Sequence, residues 1–207
     1  MTSSYSRVFA LLAAVPAALA LAATPAAAHH AMDGAMPSTF AEGFISGLAH
    51  PVIGVDHLAF LVAVGVATAV GAMPLWMPVA FVAASAVGVG LHLALVDLPA
   101  AELVIAASVL LAGVLLAGGV RVATGAWLAL FAVAGLFHGY AYGESIVGAE
   151  PTPLYAYLAG LVIIQSALAI GVAAVSRRAF SALAPRLAGA AVAGIGFAAL
   201  VGQVVPG

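Results

Sequence analysis

The chain has 207 residues, of which 66% are hydrophobic and only 6% are charged, and its formal net charge is −2. Ordinary soluble domains carry about 25% charged residues, so this composition predicts an integral membrane protein. The sequence contains no lysine and no cysteine. This excludes a P-loop, a Schiff-base lysine, a thiol nucleophile, thiolate metal sites and disulfides. The lack of basic clusters argues against nucleic acid as a partner.

Residues 1–28 resemble an export signal peptide. Arg7 stands in a short polar head, an apolar run follows, and small residues precede Ala28, after which we expect cleavage. An uncleaved first transmembrane helix is the alternative, although the run is short and a proline interrupts it. Cleavage would leave residues 29–207 as a single transmembrane domain in the bacterial inner membrane, with a periplasmic N-terminus.

Six transmembrane helices are predicted after the signal peptide and a polar segment that ends near residue 42. Proline, glycine and charged residues, which end helices at a membrane interface, separate apolar runs of about the length that spans a bilayer. The predicted helices cover approximately residues 51–72, 78–96, 102–120, 122–142, 153–175 and 187–205. The predicted fold class is therefore an all-α integral membrane protein in contact with the lipid bilayer.

The charged residues of the loops predict the orientation of these helices. With the N-terminus outside, the loops after the third and fifth helices are cytoplasmic, and they carry Arg121, Arg177, Arg178 and Arg186. The positive-inside rule is thus satisfied. The loops and helix ends on the outer side carry the acidic residues Asp97, Glu102, Glu144 and Glu150.

Ionisable residues also occur within the predicted helices, where each costs several kcal/mol unless it is paired or has a function. The stretch "HPVIGVDH" places His50, Asp56 and His57 at the start of the first helix. Others at helix ends are His92 in the second helix, Glu102 in the third, and His138 and Glu144 in the fourth. Because helix direction alternates, all seven are expected in the outer half of the membrane, where they can converge.

Imidazole and carboxylate groups without sulfur suit nickel, cobalt or zinc better than copper(I). His50 and His57 are separated by about two helical turns, so we expect them on one face of the first helix, although Pro51 and Gly54 could bend its start. Asp56 would either bind the metal or orient a histidine. The alternative is that each histidine is a polar group satisfied by a neighbouring helix, and for His92 this is equally plausible.

Other polar residues are weaker candidates. Cleavage after Ala28 would give His29 a free amine beside its imidazole, so that His29 and His30 could capture metal at the entrance; an accidental pair is the alternative. In "FHGYAYGES" we expect both tyrosines, Tyr140 and Tyr142, at the membrane interface. The inner half of the helices offers only the uncharged polar residues Thr68, Ser85, Ser108 and Gln165.

Two motifs resemble those of a known family. "HPVIGVDH" is similar to the His-x5-Asp-His signature of the HupE/UreJ family of nickel and cobalt permeases, and "FHGYAYGE" resembles the second motif of that family. The leader, the six predicted helices and "LPAAELVIAAS" extend the resemblance over essentially the whole chain. It implies secondary uptake of nickel or cobalt for hydrogenase, urease or cobalamin, with metalloenzyme maturation proteins as cytoplasmic partners. The implied metal ligands are His50, Asp56, His57, His138, Glu144 and, less firmly, Glu102.

The sequence therefore predicts a permease, and no enzyme, that imports a divalent nickel or cobalt ion as its substrate; zinc and copper fit less well. An intramembrane zinc-dependent hydrolase that uses the same His/Asp cluster is one alternative, although the chain has no His-Glu-x-x-His motif. A metal-binding accessory or sensor protein is the other, although the chain has no long soluble loops.

Overall fold

The computed structural model describes residues 35–179 and 183–205, and this part of the chain is helical and contains no strand. Its helices are α1 Phe40–Ile53, α2 Val55–Val70, α3 Pro78–Leu93, α4 Ala101–Gly118, α5 Thr124–Glu144, α6 Pro151–Ala179 and α7 Ala184–Val204. The predicted signal peptide and the His29–His30 pair lie outside the described residues and stay predictions.

The structure does not give six separate membrane-spanning helices. Within the described residues, the four helices α4 to α7 are long and apolar enough to cross a membrane. Helices α1 and α2 form a fifth candidate only as a pair, and this pair is bent by 77°. Helix α3 is apolar but has only 16 residues, fewer than the roughly 20 that span the hydrocarbon core. The predicted second helix, 78–96, was too long because the chain leaves the helix after Leu93.

The bend between α1 and α2 contradicts the prediction of one continuous first helix over residues 51–72. Pro51 lies in the last turn of α1 and lacks the N–H that would continue the hydrogen-bond ladder. Gly54 has an extended backbone, with φ −70° and ψ 100°, and separates the two helices. His50 therefore belongs to α1 and His57 to α2, so the prediction that they share one helix face is wrong.

Local capping interactions mark the start of α1 and the end of α4. Helix α1 begins with a capping box, in which Glu42 N–H donates to Thr39 Oγ1 at 3.2 Å and Thr39 N–H donates to the Glu42 carboxylate at 3.1 Å. This start at Phe40 shortens the predicted polar segment. Gly119, with φ +62°, ends α4 in the left-handed conformation that glycine adopts most readily.

Glycines allow three pairs of helices to pack with their backbones close together. A Cβ atom added to Gly47 of α1 would lie 2.1 Å from the carbonyl oxygen of Tyr157 in α6. In the α3–α5 pair, a Cβ at Gly88 would lie 2.0 Å from the Leu136 carbonyl oxygen, and Gly113 of α4 is comparably close to α7. Such contacts let helices associate in lipid, where apolar burial provides little driving force.

Helix α2 forms the centre of the bundle and packs against α4, α6 and α7. Phe60, Leu61, Val64 and Ala67 follow one another along it and are fully buried. Apolar side chains on the outer helices are exposed instead, as in the case of Phe197 on α7. An apolar exterior of this kind fits contact with a lipid bilayer.

Charged residues separate to the two ends of the bundle. Arg186 Nε donates to the Ala117 carbonyl at 3.1 Å, and Arg177 donates to the Met73 carbonyl, which places both arginines where α2 and α4 end. Glu102 and Glu144 lie at the opposite end, where α4 begins and α5 ends. We call these the basic end and the acidic end. The prediction that the basic end faces the cytoplasm rests on this charge separation and stays a prediction.

Candidate metal centre

Three histidines from three helices meet inside the bundle near the acidic end. His50 comes from the last turn of α1, His57 from the first turn of α2, and His138 from the C-terminal half of α5. Their exposed fractions are 8%, 7% and 0%. The ring centroids of His50 and His57 are 5.9 Å apart, and those of His57 and His138 are 4.9 Å apart. We call this group the histidine cluster.

The bend between α1 and α2 shapes the cluster. A Cβ atom on Gly54 would lie 2.6 Å from Cδ2 of His57, so the imidazole occupies the space that any other residue would fill. Asp56 is half-buried, and its Oδ1 accepts the His57 N–H at 2.8 Å at the N-terminus of α2. The Asp56 carboxylate is also within electrostatic range of the His57 and His138 rings. It therefore orients the start of α2 and lowers the cost of positive charge at the cluster.

His57 and His138 contact each other directly, with their Nδ1 atoms 2.8 Å apart. At this distance the two nitrogens form a hydrogen bond, for which one of them must carry a proton. The Nε2 atom of His138 lies 3.2 Å from the Ser108 hydroxyl oxygen on α4. Both nitrogens of the fully buried His138 ring thus have polar neighbours, as buried polar groups normally do.

His50 is held by two hydroxyl groups. Its Nδ1 lies 3.0 Å from Ser145 Oγ and 2.9 Å from Tyr157 Oη. The Tyr157 hydroxyl donates to the Tyr142 carbonyl at 2.8 Å, and the Ser145 hydroxyl donates to the same carbonyl or to Tyr157 Oη, each at 3.1 Å. His50 Nδ1 donates to these hydroxyl oxygens or accepts from one of them, according to the tautomer of its ring.

Tyr142 forms a wall of the histidine cluster. Its ring centroid is 5.0 Å from that of His50 and 4.4 Å from that of His57, and its side chain is fully buried. The prediction that Tyr142 lies at the membrane interface is therefore wrong. Its hydroxyl group is buried without a hydrogen-bond partner among the described residues.

The two glutamates lie apart from the histidine rings. Glu102 and Glu144 are exposed and line a cavity of about 410 Å³ together with Tyr140 and Gln203. Glu102 is within electrostatic range of Glu144 and Asp56. The glutamates thus line a cavity at the acidic end, which we call the acidic entrance, and within the described residues no hydrogen bond or ion pair joins them to the histidine cluster.

His92 does not join the cluster. Its ring packs against Tyr140, with centroids 4.4 Å apart, and its Nδ1 is buried without a hydrogen-bond partner in the described part of the chain. It also fills the space beside Gly143, where an added Cβ would lie 2.6 Å from the His92 Cβ. His92 thus packs against α5 without the hydrogen bond that the alternative expected among the described residues, and its role stays a prediction.

Three polar neighbours of the histidines were not predicted from the sequence. We predicted Ser108 in the inner half of the helices, but its hydroxyl contacts His138 near the acidic end. Ser145 directly follows the second motif, so its position in the sequence could have indicated that it lies near the histidines. Tyr157 lies 107 residues from its partner His50, and nothing in the sequence indicated that contact.

Within the described residues, no three histidine, aspartate or glutamate side chains are arranged so that they hold a metal ion as they stand. Instead, a hydrogen bond joins the Nδ1 atoms of His57 and His138, the two nitrogens that could otherwise bind a metal ion together. The ligand types nevertheless suit a borderline divalent ion, because the cluster offers imidazole nitrogen and carboxylate oxygen without sulfur. A change in the orientation of the rings is required before metal binds.

Comparisons with known proteins agree with the two motifs. Residues 17–199 match the protein family described as HupE / UreJ protein. The chain is also 35% identical over 205 residues to Protein HupE of Rhizobium leguminosarum bv. viciae, with 96% of this chain and 99% of that protein covered. No solved structure matches the chain. The family match and the nearly full-length relative show that the chain belongs to the HupE/UreJ family.

Proposed function

We propose that this protein is a secondary transporter that imports nickel or cobalt ions across the bacterial inner membrane, and that His50, His57 and His138 bind the ion during import. The observation that carries the proposal is the burial of three imidazoles from three helices in one cluster. Ionisable groups inside a membrane protein are costly and are usually paired or functional. Membership of the HupE/UreJ family supports the same function.

The spacing of two histidines supports a metal site. Imidazole nitrogens bind divalent transition metals at about 2.1 Å, the value for zinc, so two nitrogens at 90° around one ion are roughly 3 Å apart. The Nδ1 atoms of His57 and His138 are 2.8 Å apart. Small rotations of the two rings would direct both lone pairs at one ion, provided that the proton between them moves to the other nitrogen of His57.

The broken helix also supports transport. Substrate sites of many secondary transporters form where a membrane helix is interrupted, because the two half-helix ends offer partial charges and free backbone groups. Here the C-terminal end of α1, which carries a partial negative charge, meets the cluster at His50. That end favours a divalent cation, and the Asp56 carboxylate offsets the partial positive charge at the N-terminal end of α2, where His57 lies. The buried Tyr142 hydroxyl, unpartnered among the described residues, can donate to a water molecule that the ion retains.

A route from the acidic end is compatible with import. The cavity beside Glu102 and Glu144 would attract a hydrated cation. The Asp56 carboxylate, which is within electrostatic range of Glu102 and of the histidine rings, would attract the ion further towards the cluster. On the inner side of the cluster, the rings of Phe60 and Phe81 pack against His138, with centroids 4.8 and 5.7 Å away. These apolar rings obstruct the way inward, so release of the ion requires them to move.

The membrane potential supplies the driving force in this proposal. One elementary charge that crosses the membrane down a potential of 100 mV gains about 2.3 kcal/mol, so a dication gains about 4.6 kcal/mol. At equilibrium, this energy corresponds to an ion concentration more than about a thousandfold higher inside than outside. The proposal therefore requires no nucleotide-hydrolysing domain.

Uptake by purified protein in liposomes tests the proposal. Radiolabelled nickel and cobalt would be supplied outside, with an inside-negative potential set by a potassium gradient and valinomycin. We expect metal entry that depends on the potential, that His57→Ala lowers at least about a hundredfold, and that His92→Ala leaves within about twofold. His92 is the matched control because it is a histidine at the same end but lies outside the cluster.

The same preparation separates the rival functions. Tight metal binding without flux in the native protein would contradict the permease and indicate an accessory or sensor protein. Metal-dependent hydrolysis of amide or ester substrates, again without flux, would indicate the intramembrane hydrolase. Flux that persists in His57→Ala would remove the histidine cluster from the transport route.

A further inference from the structure

Ser108 is a buried serine of α4 that contacts the histidine cluster. Its hydroxyl oxygen lies 2.7 Å from the Ile105 carbonyl oxygen, three residues earlier in the helix, and 3.2 Å from Nε2 of His138. The side chain is 7% exposed and that of His138 is fully buried, so water does not compete freely for these contacts. The interaction joins α4 to α5 at the cluster.

The single proton of the serine hydroxyl decides the direction of both contacts. A carbonyl oxygen only accepts hydrogen bonds, so the Ser108 hydroxyl must donate to Ile105. The oxygen therefore presents a lone pair to His138, and that contact is favourable only if His138 Nε2 carries a hydrogen. The hydrogen-bond network thus assigns the Nε2–H tautomer to the neutral His138 ring.

The assignment determines which nitrogen of His138 is available to a metal. In the Nε2–H tautomer the lone pair is on Nδ1, the atom that lies 2.8 Å from His57 Nδ1. We infer that Ser108 is a positioning residue that fixes Nδ1 of His138 as its metal-binding nitrogen. This inference rests on the proposed function, because it concerns the site at which the transported ion binds.

Loss of the Ser108 hydroxyl should weaken metal binding by His138. A metal-binding histidine usually donates its second ring N–H to an oxygen, which fixes the tautomer and the ring orientation and makes the other nitrogen more basic. Loss of that acceptor typically weakens metal binding 10- to 100-fold. Without the Ser108 oxygen, the His138 ring would populate both tautomers, and only one of them presents a lone pair towards His57.

Nitrogen-15 NMR of histidine-labelled, metal-free protein tests the tautomer, and calorimetric titration with nickel tests its effect on binding. The variants are Ser108→Ala, Ser108→Thr, which keeps the hydroxyl, and Ser85→Ala. Ser85 is a matched control, because it is a buried serine whose hydroxyl has no hydrogen-bond partner among the described residues. His138→Ala identifies the His138 signals.

We expect His138 to be protonated on Nε2 in the native protein, in Ser108→Thr and in Ser85→Ala, and to show mixed tautomers in Ser108→Ala. Nickel binding should weaken about tenfold in Ser108→Ala, stay within about threefold in Ser108→Thr, and be unchanged in Ser85→Ala. If Ser108→Ala does not fold, the tautomer of His138 in the native protein decides.

Two results would overturn the inference: protonation of His138 on Nδ1 in the native protein, or native tautomer and affinity in Ser108→Ala. Each of them leaves the permease intact if nickel still binds and is transported. Absence of nickel binding in the native protein would instead defeat the proposed function, and the inference with it.

Discussion

The acidic and basic ends of the bundle differ in where they keep their ionisable groups. Near the acidic end, three histidines are buried and bonded to other polar groups. The basic end has a cavity of about 690 Å³ with mainly apolar walls, and its charged residues Arg121 and Arg186 are exposed. Exposed arginines cost little and orient a membrane protein, whereas buried imidazoles are costly. The proposed function therefore rests on the buried groups, and the predicted orientation rests on the exposed ones.

The largest predicted effect separates the two ends. His138→Ala should weaken nickel binding at least about a hundredfold, because it removes a proposed ligand together with its hydrogen bonds to His57 and Ser108. Arg186→Gln should change binding by less than about threefold, because this arginine only contacts carbonyl groups at the end of α4. Calorimetric titration of both variants measures the difference. Equal losses in the two variants would abolish the distinction between the ends.

The second prediction concerns the packing that holds α5, and with it His138, against α3. Gly88→Ala should lower the free energy of unfolding by about 2 kcal/mol or more, because the new Cβ would lie 2.0 Å from the Leu136 carbonyl oxygen. Gly90→Ala on the same helix should have little effect, since nothing lies within 4 Å of its Cβ position. Thermal unfolding in detergent compares them, and equal stability would argue against this helix contact.

The third prediction tests the hydroxyl groups around His50. Tyr157→Phe removes one of the two hydroxyl groups that contact His50 Nδ1, and loss of such a partner should weaken nickel binding about tenfold. Tyr155→Phe is the control, because Tyr155 is two residues earlier on α6 and is 70% exposed. Titration with nickel measures both. Equal affinity in the native protein and Tyr157→Phe would show that the Tyr157 hydroxyl is not needed to position His50 for metal binding.

The smallest predicted effect belongs to the acidic entrance. Glu102→Gln and Glu144→Gln should each raise the nickel concentration for half-maximal uptake about threefold, with the maximal rate unchanged, because these exposed carboxylates attract the cation without contacting the histidines. The effect should shrink at high salt, where charges are screened. A fall in maximal rate that is independent of salt would show that the glutamates bind the ion more directly.

Much of the site was predictable because its residues are expensive to bury. His50, His57 and His138 stand out in an apolar sequence, and the alternation of helix direction placed them at one level. Pro51 and Gly54 indicated that the start of the first helix could bend, but proline and glycine there fit the start of a helix as well as a break within one, so the bend of 77° was not predictable. The prediction therefore named the side chains that the bend brings together and wrongly placed His50 and His57 on one helix face.

The polar neighbours of the histidines were harder to predict. Ser108 bonds to a carbonyl in its own helix, as many helical serines do, and its second contact with His138 depends on how α4 packs against α5. Tyr157 reaches His50 because α1 and α6 pack closely through glycines. Contacts of this kind depend on tertiary structure, and one sequence contains no periodic signal for them.

The position of bound nickel would show whether the histidine cluster binds the ion. Crystals of the full chain grown with nickel, measured on both sides of the nickel absorption edge, would locate the ion by anomalous scattering. The account predicts one site between the rings of His57 and His138, with Nδ1 of His138 as a ligand and His50 within reach. Nickel found only beside Glu102 and Glu144, with the His57–His138 hydrogen bond intact, would contradict it.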